Sequence, residues 1–343
     1  MYFRFGPTVA SSAMVAAVLA LSACSAAPSF SPASRSAAQR NFAQQSLAPA
    51  ADACSTNTCI YVTDRYLYAI TVYALTAKGN VAPVRVIHGT STLLNQPVGI
   101  SLDATRALHV ANFGSNLLTV YAPGANGNPA PTKMISGANT LLNGPVFVAL
   151  DSTGKSYVAN WYGNSISIFG ASASGNVKPA KMIVGAKTGL FEPLSVALDA
   201  SKNIYVTNYG NGSVTEFGAT ANGNAKPIRT IIGSKTGLNG AGGLAIDAMG
   251  RIWVTNYGAN SVTVYARGAA GDVAPILTIV GTKTGLSVPD EIAFDSSGKI
   301  YVTNQSANSV TVYAAHASGN AAPIRTIVGS NTLLGSPAGM ALR

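Results

Sequence analysis

At 343 residues the chain could hold two ordinary domains or one extended all-β array, so length alone leaves the domain count open. Only 10% of it is charged, while Gly, Ser, Thr, Asn and Ala abound, which excludes a bundle of amphipathic helices and a disordered polyelectrolyte. The net charge of +10 points toward nucleic acid or an anionic surface only if the positive charges are gathered and uncommitted, so their positions have to be followed along the chain.

Residues 1–23 carry one early cation, Arg4, and then an apolar run over 10–21 that is too short to span a bilayer, the pattern of a secretory signal. The run ends Leu21-Ser22-Ala23-Cys24, which resembles the lipobox of bacterial lipoproteins. That resemblance implies acylation of Cys24 and anchorage without a membrane span, and Ser25 after it favours the outer membrane. Ordinary cleavage nearby, with Cys24 unmodified, is the alternative. Residues 24–53, rich in Ala, Ser, Pro and Gln with no apolar period, read as a flexible tether. Export makes nucleic acid an unexpected partner. It also places Cys54 and Cys59 in an oxidising compartment, where a disulfide closing a short loop is expected. Two free thiols are the alternative, because so short a loop must still satisfy disulfide geometry.

From residue 60 the chain repeats. Tyr205-Val206-Thr207-Asn208 returns as Trp253-Val254-Thr255-Asn256 and Tyr301-Val302-Thr303-Asn304, each time after 48 residues. The same step links Pro83, Pro131, Pro179, Pro227, Pro275 and Pro323. Each unit holds four short β-type runs, for example 243–247, 252–256, 261–265 and 276–280. Four strands make a propeller blade, and six units predict an all-β, six-bladed β-propeller over residues 54–343, expected as a monomer. A β-solenoid is the alternative with the same period. The first unit opens at its second strand and the chain stops after 337–342, which matches a first strand, so the C-terminal strand is predicted to close the first blade.

The motifs Tyr-Val-Thr-Asn, Asn-Ser-Val-Thr-Val-Tyr and Pro-x-Gly-Ile-x-Leu-Asp resemble the YVTN family of β-propeller repeats and its NHL relatives over residues 60–343. The resemblance implies an exported binding scaffold; a few related propellers are lactonases or lyases, and fold does not carry activity with it. The units here are longer than usual, with extra residues at 221–225 and 234–238. The fourth strands should lie outermost with one edge unpartnered, and Arg85, Lys133, Lys181, Arg229 and Arg325 fall on them, as edge protection requires. Contact of that rim with anionic lipid or acidic polysaccharide is the functional alternative.

The loops between second and third strands share one face with those between fourth and first strands. They carry Arg65-Tyr66, Phe113, Trp161-Tyr162, Tyr209, Tyr257 and Gln305 beside the repeating Asn. Rings stack on apolar faces and amides pair with hydroxyls, so Tyr66, Phe113, Trp161, Tyr162, Tyr209 and Tyr257 are the candidate contact residues for a protein or glycan ligand. Packing between blades explains the same rings without a ligand.

One unit departs from the rest at Pro289-Asp290-Glu291-Ile292. With Asp64, Asn256 and Asn304 this pair offers oxygen ligands for Ca²⁺, as in a metal-assisted lactonase or lyase; a solvated acidic pair facing Lys235 or Lys283 is the plainer reading. Asp103, Asp151, Asp199, Asp247 and Asp295 open hairpin turns, and His88, His109 and His316 fall at unrelated repeat positions. The sequence therefore predicts a binding or scaffold module rather than an enzyme, with a structural envelope component as a further possibility.

Overall fold

The structure is a computed structural model describing residues 59–343. The signal, Cys24, the tether and Cys54 lie outside the described residues. Cys59 is disulfide-bonded.

Six antiparallel sheets of four strands stand around a central channel. We number them as blades from the first described strand. Blade two shows the plan: an inner strand Pro97–Leu102, then Leu108–Asn112, Leu117–Tyr121 and the outer Lys133–Ile135. The inner strands of blades three to six are Pro145–Leu150, Pro193–Leu198, Ala241–Ile246 and Pro289–Phe294. No α-helix occurs among the described residues.

The middle strands do not alternate between buried and exposed. Ile252–Asn256 and Ser261–Tyr265 are buried at every position, because each blade is pressed between two neighbours and both its faces are interior. Trp253, Val262 and Val264 of blade five pack with Ile292, Ile300 and Tyr313 of blade six. Each such side chain contributes about 1.5–3 kcal/mol by leaving water, which makes the blade interfaces the source of stability.

The C-terminal strand Pro337–Leu342 is the inner strand of blade one. It pairs Ile60 with Leu342, Tyr61 with Ala341 and Val62 with Met340. Cys59 and Arg343 exchange backbone hydrogen bonds of 2.7 and 3.1 Å.

The edge of the outer strand, unpartnered in the sequence-based expectation, is partly covered. The segment entering each fourth strand lies along the previous blade and makes a parallel bridge to it, Gly223 to Ile183 being one of six. Gly223 N–H donates to Met182 O at 2.7 Å, and Asn224 Oδ1 accepts from Lys187 N at 2.7 Å. The extra residues of the long repeat are therefore straps that bind blade to blade. The rim cations join in: Lys133 reaches Ala171 O (3.1 Å), Lys181 reaches Thr220 O (3.3 Å) and Arg325 reaches Leu75 O (2.5 Å), each on the next blade.

Candidate functional site: an aromatic belt at one mouth of the channel

The repeating Asn of each second strand sets the loop that follows it. Asn256 Oδ1 accepts the Asn239 N–H at 3.1 Å while its Nδ2 donates to Thr263 Oγ1 at 3.1 Å. Asn304 does the same with Ser287 N and Thr311 Oγ1. In blade one Asp64 takes this place, and its carboxylate accepts from the N–H groups of Leu67 (2.9 Å), Tyr66 (3.2 Å), Ser336 (2.8 Å) and Gly335 (2.5 Å). The next residue in each blade forms one register position: Arg65, Phe113, Trp161, Tyr209, Tyr257 and Gln305.

These side chains meet their neighbours around the ring. Trp161 and Tyr209 have centroids 5.1 Å apart, Tyr209 meets Tyr257 edge-on at 5.8 Å, and Phe113 lies 5.3 Å from Tyr162. The Arg65 guanidinium sits 4.7 Å from the Phe113 centroid and 5.9 Å from that of Tyr66, within cation–π range. All six aromatic residues expected to contact a ligand thus fall in one belt. Phe113 and Trp161 also pack against the interblade core. Tyr162 is 63% exposed and presents the most open ring.

Asp290 closes the circuit. A register shift between Pro289 and Ile292 leaves Asp290 and Glu291 out of the ladder, at the channel. Both are only 3% exposed, which corrects the expectation of a solvated pair facing Lys235 or Lys283. The Tyr257 hydroxyl hydrogen-bonds the Asp290 carboxyl, and the Arg65 charge acts on it too. Burial outweighs both and raises the Asp290 pKa to about 6. Tyr257 is pushed well above its usual range, by burial first and by the Asp290 charge second.

Room for this contact comes from Gly242, which stands in blade five where blade six has Asp290. A Cβ there would lie 2.6 Å from Thr255 Oγ1 and 2.9 Å from the Tyr257 ring. Thr255 Oγ1 in turn donates to Asp290 O at 2.7 Å, fixing the backbone that carries the acid.

Glu291 points elsewhere. Its carboxyl accepts the Ile292 N–H at 3.1 Å and the Leu244 N–H of the neighbouring blade, and burial raises its pKa well above the carboxylate range. Phe147 holds the equivalent position three blades away, across the channel. The calcium set proposed from sequence is not assembled: Asp64, Asn256 and Asn304 spend their oxygens on backbone N–H groups of their own blades. Among the described residues no three His, Cys, Asp or Glu side chains converge as metal ligands.

Some polar groups near the channel are uncommitted. Arg65 Nε, Ser195 Oγ and Ser336 Oγ are buried without a hydrogen-bond partner. Arg65 was missed as a site residue in sequence, although it is the cation in a register position otherwise held by aromatic rings and Gln305. At the other end of the blades a hollow of about 390 Å³ opens between blades five and six, lined by Met249, Trp253, Phe294 and His316. Its two acids are engaged, Asp247 accepting from Arg251 Nε at 2.6 Å and from Trp253 Nε1 at 2.9 Å, and Asp295 from Ser297 Oγ at 2.6 Å.

Several solved structures share the fold. A chain of the nidogen/laminin complex is 14% identical with a TM-score of 0.56, over 83% of this chain and 98% of that one. The periplasmic gluconolactonase of Pseudomonas aeruginosa is 16% identical with a TM-score of 0.52, over 80% of each chain. The catalytically inactive virginiamycin B lyase of Staphylococcus aureus with quinupristin is 12% identical with a TM-score of 0.51, over 84% of this chain and 93% of that one. No curated protein matches. The family described as "Lactonase, 7-bladed beta-propeller" matches residues 48–332, most of the chain, which therefore belongs to that family while folding with six blades.

Proposed function

We propose that the protein is an exported, lipid-anchored binding module that holds a glycan at the aromatic belt. The carrying observation is convergence: rings from four consecutive blades, the Arg65 guanidinium and the Asp290–Tyr257 pair meet at one mouth. Rings stack on the C–H faces of sugars, while a guanidinium, a carboxylate and a phenol pair with hydroxyls in fixed directions. The unpaired Arg65 Nε adds a donor already stripped of water, so a ligand acceptor placed there relieves a cost the free protein bears. On a glycan array the full chain is expected to show selective binding that is lost in Trp161→Ala/Tyr162→Ala. Equal signal from both proteins, or selective signal on a peptide array alone, would count against a glycan site.

A second reading, hydrolysis of a lactone, is supported by the family match and by one observation at the site. A carboxyl with its pKa raised to about 6, within reach of a guanidinium's charge, is suited to accept a proton from water near neutrality. Turnover of a panel of sugar lactones, abolished in Asp290→Asn, would favour that reading; binding without turnover would leave the module as a receptor.

A further inference from the structure

We infer that the glycan is acidic, with its negative charges met by an arc of three lysines, Lys187, Lys235 and Lys283; this rests on reading the belt as a glycan site. The three occupy one register position, in the segments that follow the outer strands of blades three, four and five. The corresponding residues elsewhere are Ser91, Asn139 and Asn331, so this register position is basic in one half of the ring and neutral in the other; Glu192, beside Phe191, and Asp272 are acids on the basic half. The two halves differ in backbone as well. Two residues after each lysine stands Gly189, Gly237 or Gly285 at φ near +70°, where the neutral half bends at Leu93, Leu141 and Leu333.

The lysines are set outward by the straps. Asn224, Asp272 and Asn320 accept the N–H groups of Lys187, Lys235 and Lys283 at 2.7, 2.6 and 2.7 Å, while all three side chains remain exposed. Asp272 tempers Lys235 from one side. The ammonium groups make no hydrogen bond or ion pair among the described residues. Other cations are already used: Lys133, Lys181 and Arg325 by carbonyls, Arg229 by Glu216, and Lys202, Arg251 and Lys299 by hairpin acids. About half of the described cations are committed in this way; among the others, Lys187, Lys235 and Lys283 are the three that share one register position in consecutive blades.

The arc and the rings coincide. Trp161, Tyr162, Tyr209 and Tyr257 belong to blades three, four and five, the blades whose outer strands lead into the lysines. Phe191, 49% exposed, stands between them: it follows Lys187 in the same segment, and its ring lies against Gly210, next to Tyr209. A chain laid outward from the mouth would pass from stacking rings to ammonium groups. Neutral saccharides use the first alone; uronate-type saccharides use both.

The test compares polygalacturonate with its carboxyl-reduced, neutral form, using the full chain and affinity electrophoresis. Wild type is expected to bind the acidic polymer at least about tenfold more tightly, with the preference shrinking as salt rises. Lys187→Gln/Lys235→Gln/Lys283→Gln should remove the preference and keep binding to the neutral polymer. Lys155→Gln/Arg267→Gln/Lys299→Gln, which removes the same charge from the opposite face, should keep the preference. Equal binding of both polymers by wild type, or equal loss in the two triple variants, would overturn the arc and leave the glycan reading standing. Binding of neither polymer, with a silent glycan array, would overturn both.

Discussion

Asp290 is a carboxyl buried at the channel, with the Tyr257 hydroxyl as its hydrogen-bond partner. Its raised pKa means that the folded protein holds this proton more tightly than the unfolded chain does, so the group's contribution to stability is full below the ordinary carboxylate range and is lost as pH rises through about 6. The shift from 3.8 corresponds to a cost of about 3 kcal/mol once the carboxylate is ionised. Asp290→Asn, which cannot ionise, should therefore melt higher than wild type at pH 8, with the difference vanishing toward pH 4; Glu291, shifted in the same direction, is common to both proteins. A melting difference that does not change with pH would contradict the assignment. Asp290 was visible in the sequence as a departure from the repeat, but its burial was not, because burial depends on Tyr257 folding over Gly242 of the same blade. Arg65 was visible in the same loop series as the rings, but not its place against Phe113 and within reach of Asp290, since those come from different blades.

At the scale of the strand, the threonine of the repeating tetrapeptide does more than favour extended backbone. Thr207, Thr255 and Thr303 each donate to the inner strand of the next blade, at 2.6, 2.7 and 2.7 Å. Thr255 Oγ1 also accepts the Gly243 N–H at 2.7 Å. Thr255→Ala would orphan a buried N–H and a buried carbonyl, at a cost of about 2 kcal/mol, and should lower the midpoint of chemical denaturation accordingly. An unchanged midpoint would show that packing and the other interblade hydrogen bonds suffice, as they do at Ala111 and Ala159, where the hydroxyl is missing and bonds such as Ser101 Oγ to Val148 O (2.6 Å) remain. The strands themselves were legible in the sequence from turn residues and β-branched runs, and Asn116, Asn164, Asn260 and Asn308 take the left-handed backbone that asparagine tolerates in the turns after the second strands. The straps were not legible: the extra residues carry little apolar signal, and their hydrogen bonds go to backbone on another blade.

For the whole molecule, the repeat made blade number and closure readable, because a fixed interval leaves few ways to end a ring. What the ring assembles is harder to read. The belt needs every blade in order, with Arg65 from the first and Asp290 from the last brought within electrostatic reach of each other once Pro337–Leu342 has closed the circle. An open or differently ordered array would separate the two residues and leave the rings as ordinary packing. The direct measurement is the carboxyl titration of Asp290 followed by carbon NMR in wild type and in Arg65→Gln. The expected result is an Asp290 pKa of about 6 in wild type that rises when the guanidinium is removed. An Asp290 that titrates like an exposed carboxylate, or that does not respond to the loss of Arg65, would contradict it.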